Sequence, residues 1–109
     1  MFHEEEMRMS DDALVSIVVL NYNGRDALLK CLRSLYKSDY ALFEVIVVDN
    51  GSTDGSVEAV RRDFPKVILI ENRGNLGYGA GNNIGIKASK GEYIVLINND
   101  VYVIHDWLG

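Results

Sequence analysis

At 109 residues the chain is the size of one domain, and 48% apolar with 25% charged residues is an ordinary globular composition with material for a core. Most of the net charge of −5 sits in the first twelve residues, where Glu4, Glu5, Glu6, Asp11 and Asp12 face only Arg8. The remainder is nearly neutral, with no basic stretch for a nucleic-acid partner and no apolar run near the roughly 18 residues of a membrane span.

The opening MFHEEEMRMSDD lacks the charged-then-apolar order of a signal peptide and reads as a flexible acidic tail over residues 1–13, ahead of a folded unit over 14–109. Ser16 to Leu20 is a β-branched run without alternation, the pattern of a strand buried on both faces of a parallel sheet, and it ends in Asn21, Tyr22, Asn23 and Gly24. From Asp26 the spacing changes: Ala27, Leu28, Cys31, Leu32 and Leu35 form one stripe of an amphipathic helix that fades by Ser38. Cys31 lies on that stripe and reads as a small buried hydrophobe; a single cysteine permits no internal disulfide, which fits a reducing cytoplasm.

Phe43 to Val48 is the next strand and ends in Asp49, Asn50, Gly51 and Ser52. Asp54 or Ser52 is placed to cap the following helix, whose stripe is Val57, Val60 and Phe64 and which Pro65 stops. Val67 to Ile70 gives a short strand, then comes the loop ENRGNLGYGAGNN, and Ala80, Ile84 and Ala88 mark a third helix that Gly91 is placed to end. Tyr93 to Ile97 is a further buried strand with the polar tip Asn98, Asn99 and Asp100; Val101 to Ile104 is β-prone, and Asp106 could cap a helix. The order β-α-β-α-β-α-β-β predicts an α/β fold with a mostly parallel sheet and crossover helices.

Three strands thus end in similar chemistry: Asn21-Tyr22-Asn23-Gly24, Asp49-Asn50-Gly51-Ser52 and Asn98-Asn99-Asp100. Taken singly, each is what any strand-to-helix turn uses. In a parallel sheet all three lie on one edge, where open α/β folds hold ligands. Asp49 and Asp100 are the carboxylates placed directly at strand ends, and a carboxylate beside amide oxygens suits a hard cation such as Mg²⁺ that takes its other ligands from a substrate phosphate. Gly79, Gly81 and Gly85 approach a dinucleotide fingerprint, but in the third unit, after a long loop, rather than in the first tight turn. A P-loop is absent, and one cysteine with His3 and His105 far apart supports no zinc site.

The stretches SIVVLNYNG, VIVVDNGSTDGS, NRGNLGYGAGNNIG and GEYIVLINNDV, in this order, resemble the nucleotide-binding half of inverting family 2 glycosyltransferases, particularly the rhamnosyltransferase-like bacterial members. The resemblance implies a Rossmann-like GT-A fold with helices on both faces of the sheet, of which this chain is an incomplete domain. It further implies transfer of a sugar from a nucleoside-diphosphate donor, of the dTDP-rhamnose or UDP-sugar type, to a carbohydrate or lipid-linked acceptor in cell-surface polysaccharide synthesis. The setting it implies is the cytoplasm, at the inner face of the membrane in a full-length protein.

By the same resemblance Asn21 and Tyr22 border base and ribose, Asp49 contacts the base, and Asn50 and Ser52 shape that loop. Arg73 and the segment from Gly77 through Asn82 to Asn83 line the diphosphate side. Asn98, Asn99 and Asp100 occupy the family's D-x-D position, Asp100 holding a divalent cation, Mg²⁺ or Mn²⁺. With Asn98 in place of the first aspartate, Asp100 carries the ligand role alone. The family's general base belongs to an acceptor half downstream, so no catalytic residue is assigned in this chain, which alone is expected to be inactive and, lacking that half, to self-associate. The alternatives are a non-catalytic nucleotide-binding or interaction module of the same fold, and a flavodoxin- or receiver-like domain using Asp49.

Overall fold

The structure is a computed structural model that describes residues 14–37, 42–97 and 101–105; for Tyr78 and residues 101–105 only the backbone is described. The acidic tail, Asn98, Asn99, Asp100 and Asp106 lie outside the described residues. In chain order the elements are β1 (Val15–Asn21), α1 (Arg25–Leu35), β2 (Phe43–Asp49), α2 (Ser56–Asp63), β3 (Ile68–Glu71), α3 (Tyr78–Ala88), β4 (Tyr93–Ile97) and β5 (Val101–His105).

They form one sheet in the order β3-β2-β1-β4-β5. The first four strands are parallel and β5 returns antiparallel to β4. The three-residue link between β4 and β5 explains that reversal, since a parallel crossover needs a dozen residues or more. The chain winds outward from β1 to β3, then crosses back to place β4 on the other side of β1. That reversal makes a topological switch point at the carboxyl ends of β1 and β4.

Side chains alternate between two cores. Val15, Ile17, Val19, Val45, Val47, Val95 and Ile97 pack with Leu28, Leu29, Leu32 and Leu35 of α1 and with Ala59 and Val60 of α2. On the opposite face Val18, Ile46, Val48 and Ile94 meet Ile84, Ile86 and Ala88 of α3. Two apolar faces per strand explain the absence of alternation in the sequence. In α1, Asp26 in the first turn and Arg33 in the last also suit the helix dipole. α2 stops at Asp63, because Pro65 keeps Phe64 out of the helical region (φ −133°, ψ 67°).

Two expectations need correction. Gly91 does not end α3; the helix finishes at Ala88, with Ser89 extended and its Oγ donating to the Gly85 carbonyl at 2.9 Å. Gly91 instead crosses the start of β1 so closely that a Cβ would stand 2.6 Å from Ser16 Oγ and 2.8 Å from the Leu14 carbonyl oxygen. Cys31 is half-buried rather than buried, because it borders a cleft between α1 and the β1–β4 pair; burial pushes its thiol above the usual range.

Candidate functional site at the carboxyl edge of the sheet

Asn21 and Asp49 end β1 and β2 directly opposite each other. Asp49 is 2% exposed, and a carboxylate taken from water needs donors around both oxygens. Its Oδ1 accepts from Asn21 Nδ2 at 2.8 Å and from Ser52 Oγ at 2.7 Å, while Oδ2 accepts from the amides of Ser52 at 2.8 Å and Gly51 at 3.2 Å. Gly51 makes this turn possible with φ +86°, a conformation costly for a residue with a Cβ. The Ser52 hydroxyl also accepts from Asn21 Nδ2 at 3.2 Å and from the Asn23 amide at 2.8 Å, so its single donor and both lone pairs are used.

The loops after β1 and β2 are joined further along. Asn23, a non-glycine residue at φ +49°, accepts from the Thr53 amide at 2.8 Å through its side-chain oxygen. Asp54 accepts from the Arg25 amide at 2.9 Å and the Ser56 amide at 3.0 Å, so one carboxylate serves the first residues of both α1 and α2. The Ser56 hydroxyl, which also donates to Asp54, is the largest influence holding that carboxyl below its ordinary range, with the Arg25 and Ser56 amides adding to it. The capping role expected of Asp54 or Ser52 therefore falls to Asp54. Between these joined loops Tyr22 stands out, 52% exposed, beside a cleft of about 240 Å³ lined by Leu20, Asn21, Cys31 and Ile97.

The third wall is the segment between β3 and α3. It is tied to the sheet by Asn50, 2% exposed, whose Oδ1 accepts from Asn72 Nδ2 at 2.8 Å and whose Nδ2 donates to Asn75 Oδ1 at 3.4 Å and the Gly77 carbonyl at 3.3 Å. Gly51 and Gly74 nearly touch: a Cβ on Gly51 would lie 3.1 Å from the Gly74 Cα. Among the described residues a Cβ at Gly74, Gly77 or Gly79 would meet nothing within 4 Å, so they leave the outer side of this wall open. The first amides of α3 have no intrahelical carbonyl to reach, and its first turn carries no acidic residue. In that first stretch of helix, Asn82 is 5% exposed, and among the described residues neither its Nδ2 nor its Oδ1 has a hydrogen-bond partner. A buried amide left this way costs roughly 1–3 kcal/mol.

The residues singled out by sequence fall into two groups. Asn21, Asp49, Asn50 and Ser52 are bonded framework, whereas Tyr22, Arg73, Gly77 and Asn82 border open space or lack partners. Asn23, Asn72 and Asn75 were missed as framework; their signal was the density of asparagine in two loops that need side-chain bonds to hold non-repetitive backbone. Among the described residues no three His, Cys, Asp or Glu side chains stand together as a metal centre.

A doubly wound sheet with bonded strand ends and an open helix amino terminus along its carboxyl edge defines a ligand-binding α/β domain of the nucleotide-binding kind. The profile of glycosyl transferase family 2 matches residues 16–109, and the chain belongs to that family. It is 37% identical over 92 residues to the glycosyltransferase GlyG of Streptococcus pneumoniae, spanning 80% of this chain and 30% of that protein. It is 39% identical over 98 residues to the poly(ribitol-phosphate) beta-glucosyltransferase of Bacillus spizizenii, spanning 82% and 15%.

Among solved structures, S. aureus TarS 1-349 in complex with UDP superposes with a TM-score of 0.73 at 30% identity, over 80% of this chain and 27% of that one. The mannosyltransferase PcManGT from Pyrobaculum calidifontis, in complex with GDP-Man and Mn²⁺, gives 0.70 at 32% identity, over 76% and 26%. The chain thus spans less than a third of each of these proteins, and its fold is the corresponding part of a GT-A domain.

Proposed function

We propose that this chain is the donor-binding portion of a glycosyltransferase that moves a sugar from a nucleoside diphosphate to an acceptor hydroxyl. The observation that carries the reading is Asn82, a buried amide without partners among the described residues, beside an acid-free helix amino terminus, at the edge where the strand ends converge. A polar, anionic ligand answers both features: the free amides and dipole of α3 favour a diphosphate, and Asn82 supplies one donor and one acceptor. Tyr22 offers an exposed ring for a base, and Arg73 a guanidinium on the diphosphate side.

Asn21, Asp49 and Ser52 keep the two loops at the spacing the base and ribose need, with Asp49 at the base. Asn98 and Asn99 would complete the ribose side, and Asp100 would hold a divalent cation, Mg²⁺ or Mn²⁺, together with the nucleotide. Bound there, such a cation would supply charge neutralisation to the leaving diphosphate. The UDP of the TarS complex and the GDP-Man and Mn²⁺ of the mannosyltransferase complex support this class of donor and cofactor. The finer donor reading is dTDP-rhamnose or a UDP-sugar. The acceptor is a carbohydrate or lipid-linked hydroxyl of a cell-surface polysaccharide, met at the cytoplasmic face of the membrane. No described helix is long and apolar enough to cross a membrane.

The test is a titration of the chain with UDP, dTDP and AMP, with Mg²⁺ or Mn²⁺, followed by backbone amide resonances. UDP or dTDP shifts Tyr22, Gly77 and Asn82 and AMP does not. Spectra unchanged at millimolar UDP and dTDP would sink the reading.

A further inference from the structure

We propose that Asn50 is a positioning residue that never touches the donor: its buried amide holds the far end of the segment Asn72–Gly77, and through it the amino terminus of α3, against the sheet. The inference rests on the donor-site reading above. The orientation of the amide is fixed by its partners. The Gly77 carbonyl can only accept, so Nδ2 faces it; Asn75 Oδ1 already accepts from the Gly77 amide at 2.9 Å, so it too receives Asn50 Nδ2. Oδ1 is then left for Asn72 Nδ2.

The two ends are held unequally. The Asn72 end has a 2.8 Å side-chain bond, and its own amide continues the main-chain ladder to the Asp49 carbonyl at 2.8 Å. The Asn75–Gly77 end rests on contacts of 3.4 and 3.3 Å from Asn50. Gly77 precedes the first residue of α3 and its carbonyl also accepts the Gly81 amide at 3.1 Å. One buried nitrogen therefore ties the start of the helix to the end of β2. An amide is required there, because a carboxylate of the same shape would accept from Asn72 but would oppose the two oxygens at Asn75 and Gly77.

The test compares Asn50→Asp and Asn75→Ala with the parent chain, by UDP affinity in the presence of Mn²⁺ and by amide hydrogen exchange without ligand. With an ionised carboxylate at 50, exchange at Gly77, whose amide is held by Asn75, rises about tenfold while Val18 and Ile46 in the core keep their protection. UDP binding of Asn50→Asp weakens about tenfold at about pH 8 and recovers at about pH 5, because a carboxyl facing two oxygens there is protonated and donates again. Asn75→Ala, at an exposed position that does not threaten the fold, weakens UDP alike at both pH values. Unchanged exchange at Gly77 in Asn50→Asp overturns the inference whatever UDP does, as does affinity within about twofold of the parent at both pH values or a loss that pH leaves untouched. Failure of the parent chain to bind UDP rejects the donor reading instead, and the exchange experiment still judges the tether.

Discussion

Single atoms decide several properties of this edge. Asp54 takes the first amides of α1 and α2, so Asp54→Ala costs about 1–2 kcal/mol of stability, read from urea denaturation. Its carboxyl titrates lower folded than unfolded, so the stabilisation is present above the ordinary value of 3.8 and is lost as pH falls through the lowered folded value. The gap between parent and variant therefore stays constant near neutrality and closes below about pH 4, in melts taken across that range. Glycines of α3 divide in the same way. At Gly85 a Cβ would stand 2.3 Å from Val18 Cγ1, so Gly85→Ala destabilises by about 1–3 kcal/mol. At Gly79 a Cβ would meet nothing within 4 Å, and Gly79→Ala stabilises by about 0.5–1 kcal/mol through helix propensity, in the same denaturation assay.

At the scale of elements, unbroken apolar runs marked β1, β2 and β4 because each is covered on both faces, and a run that cannot alternate has few other places to go. The third helix was legible by its stripe, but its end was not. Gly91 carries the usual signal of a helix stop, and the sequence hides that the residue must slide past Ser16, 75 positions away. There Ser16 Oγ accepts from the Gly91 amide at 2.8 Å and donates to Glu44 at 2.5 Å, while Glu44 accepts from the Lys90 amide at 2.8 Å. Ser16→Ala leaves the Gly91 amide unpaired and costs about 1–3 kcal/mol; a melt indistinguishable from the parent would show that water takes the hydroxyl's place. In the site, residue types at strand ends were readable, but which are framework and which face the ligand depends on bonds between loops some thirty residues apart, such as Asn23 with Thr53.

For the molecule as a whole, depth in the sheet sets sensitivity. Ile46 on the interior strand β2 is 0% exposed and Ile68 on the edge strand β3 is 41% exposed. Ile46→Ala costs about 2–5 kcal/mol, whereas Ile68→Ala costs about 1 kcal/mol or less, a contrast that urea midpoints resolve. α3 lies over β1 and β2 without a side chain at Gly81 or Gly85, where a methyl would reach Leu20 or Val18. These glycines act as the missing shim under a beam: they set the height at which its open end meets the strand tips. Adding a methyl group beneath would lift the helix by up to about a carbon–carbon bond length, some 1.5 Å. The grip on a ligand at that end is thus adjustable from the underside, by changes that no ligand could ever touch.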